Sequence, residues 1–150
     1  MFAEDAIRRP ALLLGWAGVI PFALLTATSV LGVEVSSLDP QGALREYGTI
    51  ILSFLGGAQW GVLLPRNQEE VSPSWRYGVS VLPALLGFLC LLAPQTLGLV
   101  GLVAGFLGLL AYDLTTVHRG LAPGWYGKLR LQLTGVVVVL LTIAALSPEH

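Results

Sequence analysis

Five long apolar stretches, almost free of charged residues, run along this chain of 150 residues. A helix that crosses a bilayer needs about 20 mostly apolar residues, with a range of about 17 to 25. The third and fifth stretches reach that length by including Arg76 and Arg130, whose long side chains can extend to the interface. The predicted spans are 11–31, 47–64, 75–93, 97–114 and 129–146. We therefore predict a single bundle over residues 1–150, an all-α integral membrane protein with five transmembrane helices.

The composition favours a chain that is surrounded by lipid. Hydrophobic residues make up 55% of the chain and charged residues 11%, whereas soluble domains carry about 25% charged residues. The net charge of −1 provides no basic field that would attract nucleic acid. One cysteine and two histidines are too few for a conventional metal cage, so we predict neither a metal nor a cofactor. The predicted partner is the lipid bilayer.

Residues that start and stop helices flank these stretches, which favours helices over the strands of a barrel. Asp39 and Pro40 precede the second stretch, where Asp is a good N-cap and Pro suits the first helical position. Gly32 follows the first stretch, as a helix-ending glycine does. Because the first stretch exceeds the about 7 to 15 residues of a signal-peptide core, we predict a retained span and not a cleaved leader.

Basic residues are distributed unevenly between the two ends of the predicted helices. With five spans, all but one of the eight Lys and Arg residues lie on the side of the N-terminus. They are Arg8, Arg9, Arg66, Arg76, Arg119, Lys128 and Arg130. Arg45 lies on the opposite side. Because short cytoplasmic loops are enriched in Lys and Arg, we predict a cytoplasmic N-terminus and a C-terminus outside.

The second stretch carries a dense pattern of small and polar residues around Gln59. Gly57 and Gly61 are four residues apart, a spacing that lets a neighbouring backbone approach closely. An amide at this depth needs hydrogen-bond partners or water. Two interpretations stay open: Gln59 makes an interhelical hydrogen bond that holds the bundle, or Gln59 and Trp60 line a small cavity near the inner leaflet.

The fourth stretch repeats glycine along one helical face. The steps between these residues are three, four and three, so all four share a side of the helix. They are Gly98, Gly101, Gly105 and Gly108. We predict that this face packs tightly against another helix, either of this chain or of a second copy.

Asp113, near the predicted cytoplasmic end of the fourth stretch, is the main ionisable candidate. Ionisable groups at membrane depth often mark functional sites, but a carboxylate at an interface also forms structural ion pairs. We expect Asp113 to pair with Arg130 or Arg76, with Arg130 preferred because the connection to the fifth span is short. Trp125 and Tyr126 are predicted to join Gln59, Trp60, Asp113 and Arg130 in a polar cluster near the inner leaflet.

Several segments carry a resemblance to a known family. The most specific are YGTIILSFLGGAQWG at 47–61, GFLGLLAYD at 105–113 and WYGKLRLQLTGVVV at 125–138. They resemble the DUF3429 family of small multi-span membrane proteins, which includes the eukaryotic transmembrane protein 69. The resemblance implies an integral protein of a bacterial inner (plasma) membrane, or of the mitochondrial equivalent. It implies no activity, and no catalytic residue is carried over from it.

Two classes of function stay open at the level of sequence. Tight glycine faces and short loops favour a non-enzymatic accessory, assembly or scaffold component, partnered by other membrane-protein subunits or by a second copy of the chain. Alternatively, kinks at Pro21 and Pro83 would open an inner-leaflet pocket for a small molecule or lipid, in a binder or a transporter. No nucleophile–base set, His cluster or carboxylate pair lies within a span, so we predict no enzyme.

Overall fold

The computed structural model describes residues 2–33, 39–63 and 74–147, and these ranges contain five α-helices. The helices are α1 (Phe2–Leu31), α2 (Pro40–Leu63), α3 (Ser74–Leu92), α4 (Gln95–His118) and α5 (Gly124–Leu146). Each corresponds to one predicted span, although α1, α2 and α5 begin well before their apolar parts. The predicted end of the second span at Leu64 and the predicted cytoplasmic residue Arg66 lie outside the described residues.

The predicted capping residues define the ends of two helices. The Asp39 side chain accepts a hydrogen bond at 3.1 Å from the backbone N–H of Gln41 and so caps the start of α2. Gly32 has a φ of 60°, a conformation that glycine adopts readily, and it ends α1. The N–H of Val33 then donates to the carbonyl of Thr28 at 3.3 Å, the bond that typically closes such a helix end.

The helices form a closed ring in chain order, with a further contact between α2 and α4 across the middle. The α2 and α4 helices run in the same direction, because Gly48 meets Leu102 and, further along both helices, Gln59 meets Asp113. The α1 and α5 helices are also parallel, since Gly15 meets Leu133 and later residues of the two helices meet as well.

The remaining neighbours are antiparallel. Thr49 of α2 bonds to Gly87 near the end of α3, whereas Gly56, later in α2, meets Ser80 near the start of α3. The α4 and α5 helices are joined by a short connection and also run in opposite directions. The directions of the five helices therefore alternate along the chain, and α1, α3 and α5 point the same way.

Large apolar side chains occupy both the inside and the outside of the bundle. Phe22 is buried at the centre, with its ring 4.9 Å from that of Tyr47 and 6.1 Å from that of Phe106, both in edge-to-face orientation. Leucine, isoleucine, valine and phenylalanine side chains are also exposed on all five helices. Such a continuous apolar exterior suits hydrocarbon and not water.

Four of the five helices in the described chain are long and apolar enough to cross a membrane. Their qualifying parts are Ile7–Leu31, Ser74–Leu92, Gln95–His118 and Gly124–Leu146. The α2 helix is less apolar because it contains Arg45, Glu46 and Gln59. Pro21 and Pro83, the predicted kink sites, lie within the continuous helices α1 and α3.

Candidate functional site

Asp113 of α4 is the centre of a polar cluster inside the bundle. Its side chain is 1% exposed. Arg130 of α5 donates from Nε to the Oδ2 oxygen at 2.5 Å. The Nε2 amide of Gln59 in α2 donates to the other oxygen, Oδ1. We refer to Gln59, Asp113 and Arg130 as the Asp113 cluster, and its hydrogen bonds join three helices.

The short connection between α4 and α5 brings the two charged residues together. Asp113 lies five residues before the end of α4, and Arg130 lies six residues after the start of α5. At about 1.5 Å per residue, both are roughly 8 to 9 Å from the same end of the bundle. Gly120, with a φ of 73°, ends α4 and allows the chain to turn. The predicted preference for Arg130 over Arg76 is confirmed by this ion pair.

Because the Asp113 cluster is buried, its ion pair and hydrogen bonds contribute strongly to the stability of the bundle. An ionised carboxylate away from water needs a counter-charge and hydrogen bonds. The guanidinium of Arg130 supplies the charge, and each Asp113 oxygen already accepts a hydrogen bond. Removal of one partner from a buried pair typically costs about 3 to 5 kcal/mol, because the other charge is left uncompensated. The cluster therefore fixes the relative positions of α2, α4 and α5.

The three predicted aromatic members of the cluster make other contacts. Trp60 is 48% exposed, and its ring packs against that of Tyr77 at 5.6 Å. Trp125 and Tyr126 pack against each other, with ring centroids 6.4 Å apart. The buried indole nitrogen of Trp125 has no hydrogen-bond partner among the described residues. Hydrogen bonds therefore connect only the three non-aromatic residues of the predicted site within the described chain.

The predicted glycine face of α4 is packed along only part of its length. A methyl group at Gly101 would lie 2.6 Å from the Cys90 sulfur, and one at Gly98 would overlap the Cys90 carbonyl oxygen. Gly105 is similarly crowded by leucine side chains. At Gly108, no atom of the described residues lies within 4 Å of the corresponding position. Within the described chain no helix packs against Gly108, so of the two predicted partners only a second copy of the chain stays a prediction at this position.

The glycines of α2 also differ in whether another helix of the described chain lies against them. A methyl group at Gly56 would lie 2.8 Å from the Ser80 carbonyl oxygen and 2.9 Å from the Pro83 ring. Gly57 and Gly61, the predicted packing pair, have no neighbour of this kind within 4 Å in the described part of the chain. Gly56 is thus the residue that allows α2 to approach α3, because it is on the α3-facing side of the helix and Gly57 is not.

A groove of about 580 Å³ lies between α3 and α4, and we call it the α3–α4 groove. Its walls are mainly apolar and include five leucines, and its polar residues, Gln59, Ser80 and Tyr112, lie near one end. Leu82 and Leu85 line the groove and are exposed, so it opens towards the outside of the bundle. Gln59 thus lines this groove while it also binds Asp113.

A smaller crevice of about 130 Å³ lies on the other side of the Asp113 cluster, between α1, α2 and α5. Arg130 and Thr134 are among the residues that line it. The Nη2 atom of Arg130 and the hydroxyl of Thr134 are buried and have no hydrogen-bond partner in the described chain. The Asp113 cluster therefore separates two cavities, one lined by Gln59 and the other by Arg130.

A second set of polar residues, at the opposite end of the bundle, was not predicted. Gln41 is buried and donates to the carbonyl of Ala144 at 3.2 Å, near the end of α5. Arg45 donates to the carbonyl of Ala93 at 2.8 Å, just after α3. Both bonds go to carbonyl groups at helix ends, where intrahelical donors run out, and the Ala144 carbonyl also accepts from the N–H of Ser147. In the described ranges, no group of three or more His, Cys, Asp or Glu residues could hold a metal ion.

The apolar helices and the polar cluster that they enclose define a helical membrane protein. The chain belongs to the family described as "Protein of unknown function (DUF3429)", whose sequence profile matches residues 7–146. The predicted resemblance to this family is confirmed.

Proteins similar to this chain include two vertebrate relatives. The chain is 38% identical over 135 residues to Transmembrane protein 69 of Xenopus tropicalis, a match that covers 87% of this chain and 51% of the relative. It is 32% identical over 149 residues to Transmembrane protein 69 of Mus musculus, covering 94% of this chain and 59% of the relative. The chain thus spans between half and three fifths of the length of these relatives. No solved structure matches the chain.

Proposed function

We propose that this protein is a non-enzymatic membrane protein that binds an amphiphile, with the apolar part of the ligand in the α3–α4 groove. The observation that carries the proposal is the groove itself, an apolar space of about 580 Å³ with polar residues at one end. Small-molecule sites commonly measure about 300 to 1,000 Å³ and combine apolar walls with a few polar groups. The distribution of polar residues matches a ligand that has a long apolar part and one polar end.

The Asp113 cluster supports this function by holding Gln59 at the polar end of the groove. Both Asp113 oxygens accept hydrogen bonds, one from Gln59 and one from Arg130. The carboxylate is therefore engaged in structure and is not presented to a ligand as a general base. This is why we propose binding in place of catalysis.

We further propose that all five helices cross a bacterial inner membrane, with the N-terminus in the cytoplasm and the C-terminus outside. The alternating helix directions support an odd number of crossings. The α2 helix contacts α1, α3 and α4, so a less apolar composition is tolerated there than in a helix surrounded by lipid. The orientation rests on the excess of Lys and Arg at the N-terminal side.

A pair of C-terminal fusions tests this topology. We expect alkaline phosphatase, which is active only outside the cytoplasm, to be active when it is fused after residue 150. Green fluorescent protein at the same position should be dark if it is exported unfolded. The reverse pattern, fluorescence without phosphatase activity, would contradict the proposed orientation.

A scaffold function is the second candidate, and one surface of α2 favours it. Gly57 and Gly61 lie on an exposed side of α2 that no described residue covers. Two glycines at this spacing form a shallow surface on which another transmembrane helix can pack. A subunit of a membrane complex or a second copy of this chain would fit there.

Replacement of Gly108 by leucine tests amphiphile binding. The added side chain meets no described atom within 4 Å at its Cβ, so it should extend into the groove without disturbing the helix contacts. Each CH₂ group displaced from the groove loses about 0.8 kcal/mol, so displacing two reduces lipid retention by about tenfold. We expect native mass spectrometry in mild detergent to show a retained lipid on the wild type and little on the variant.

Gly135→Leu on α5 is the matched control, because Gly135 is also exposed and has no neighbour within 4 Å in the described chain. It should retain lipid as the wild type does. Equal retention by Gly108→Leu and the wild type would overturn the groove proposal. A stoichiometric protein partner that copurifies without lipid would favour the scaffold function.

A further inference from the structure

We propose that the ligand of the α3–α4 groove is an anionic phospholipid, and that Arg76 binds its phosphate. This inference rests on the proposed function and specifies the chemistry of the ligand's polar end. One acyl chain would occupy the groove, and the headgroup would lie beside the first turn of α3. Arg76 would then determine which lipids are preferred, while the groove walls determine that a chain is bound at all.

The environment of Arg76 is the first observation. Its side chain is 9% exposed, although guanidinium groups are rarely buried without a partner. Its Nε atom is buried and has no hydrogen-bond partner among the described residues. The salt bridge in the described chain joins Asp113 to Arg130 and does not include Arg76. Arg76 is therefore a buried cation for which the described chain supplies neither a counter-charge nor an acceptor at Nε.

The position of Arg76 relative to the groove is the second observation. Arg76, Ser80 and Pro83 are spaced by four and three residues and are all buried, so they share one face of α3. Ser80 and Pro83 line the groove. Arg76 does not itself line the groove and lies one turn beyond Ser80, past the end of the groove where the polar residues are. It is two residues after the start of α3, or about 3 Å along the helix axis.

Charge balance is the third observation. The buried charged side chains of the described residues are Arg76, Arg130 and Asp113, which sum to one positive charge. A buried cation without a counter-charge is costly, and an anion that binds beside it removes that cost. At the level where a spanning helix begins, the abundant anion in a bilayer is the lipid phosphate. A guanidinium binds phosphate oxygens with paired, charge-assisted hydrogen bonds.

The test compares the lipid selectivity of the wild type with that of Arg76→Gln, Arg76→Lys and Arg119→Gln. Each protein is purified in nanodiscs that contain equal parts of phosphatidylglycerol and phosphatidylcholine. For the wild type, native mass spectrometry should show mainly bound phosphatidylglycerol. Arg76→Gln should lower the preference for phosphatidylglycerol over phosphatidylcholine by about tenfold, the effect of losing a charge-assisted hydrogen bond. Total lipid retention should persist because the groove is unchanged. Arg76→Lys keeps the charge and should retain a preference of the same sign.

Arg119→Gln is the charge control, because Arg119 is an exposed basic residue predicted to lie on the same side of the membrane. It should leave the selectivity unaltered.

An unchanged preference for phosphatidylglycerol in Arg76→Gln would overturn the role of Arg76 and leave the groove function standing. If Arg119→Gln also loses the preference for phosphatidylglycerol, the selectivity comes from general surface charge and the role of Arg76 is overturned. Retention of a fatty acid in place of a phospholipid would overturn the proposed ligand class. Failure of the groove function itself is recognised separately, by lipid retention in Gly108→Leu.

Discussion

Replacing Asp113 by leucine should lower the free energy of unfolding by about 3 to 5 kcal/mol, since it leaves the Arg130 guanidinium buried without a counter-charge. The Asp113 side chain is fully enclosed, so solvent cannot compensate. Gln59 also loses the acceptor of its amide. Reversible unfolding in mixed dodecyl maltoside and dodecyl sulfate micelles measures this change directly.

A double variant distinguishes the cost of an uncompensated Arg130 charge from the cost of losing the hydrogen bonds of the Asp113 cluster. When Asp113→Leu is combined with Arg130→Met, no uncompensated charge remains, and much of the stability should return. Gln59→Leu removes one hydrogen bond to a charged group and should cost less, about 1.5 to 3 kcal/mol.

Asp39→Ala is the control at the other end of the bundle. It removes an exposed acidic cap of α2, so it should cost only about 1 kcal/mol. Equal costs for Asp39→Ala and Asp113→Leu would contradict the role of the Asp113 cluster. A double variant that is no more stable than Asp113→Leu would show that the ion pair is not what holds the three helices.

Alanine at the adjacent positions Gly56 and Gly57 should change stability in opposite directions. At Gly56 the methyl group meets the Ser80 carbonyl oxygen and the Pro83 ring, which are both rigid. The helices must separate, and we expect a loss of about 1 to 3 kcal/mol. At Gly57 nothing described lies within 4 Å, and the better helix propensity of alanine should leave stability equal or higher by up to about 1 kcal/mol.

The same unfolding assay, performed on both single variants, checks this pair. Because Gly56 and Gly57 are neighbours in one helix, the two alanine variants have the same composition and almost the same depth in the bundle. A difference in their stability therefore reports the contacts of each methyl group. Equal destabilisation at both sites would mean that Gly57 is covered in solution. In that case a partner helix on the exposed face of α2 would become the favoured explanation.

The helical content and the central ion pair could be predicted from sequence because both depend on short-range constraints. Apolar stretch length determines where helices form in lipid, and caps such as Asp39 and Gly32 determine where they end. The α4–α5 connection is so short that Asp113 and Arg130 must lie at similar depth. Gln59 could be placed at the same level by counting from the end of its apolar stretch.

A pocket near Gln59 and Pro83 was one of the interpretations that the sequence left open, but its position between α3 and α4 could not be predicted, because a glycine face can either pack closely or border a gap. The outcome depends on the side chains of the opposing helix. Cys90 fills the space next to Gly101, whereas no side chain fills the space next to Gly108. The side on which Trp60 lies was not predictable for a similar reason. Its contact with Tyr77 depends on how α2 and α3 are rotated about their axes.

The dual contacts of Gln59 suggest why a structural cluster and a binding groove adjoin each other. Gln59 donates to Asp113 and also lines the α3–α4 groove. A change at Asp113 should therefore alter the polar end of the groove as well as the stability of the bundle. This link between Asp113 and the groove arises because Gln59 contacts both, and it requires no movement of the helices.

A crystal structure grown from a lipidic mesophase doped with phosphatidylglycerol tests the central claim most directly. We expect continuous density for an acyl chain in the α3–α4 groove, with its headgroup phosphate within hydrogen-bond distance of Arg76. Gln59, Asp113 and Arg130 should remain bonded to one another beside it. Direct packing of α3 on α4 that closes the groove, or a protein helix seated in it, would contradict the claim.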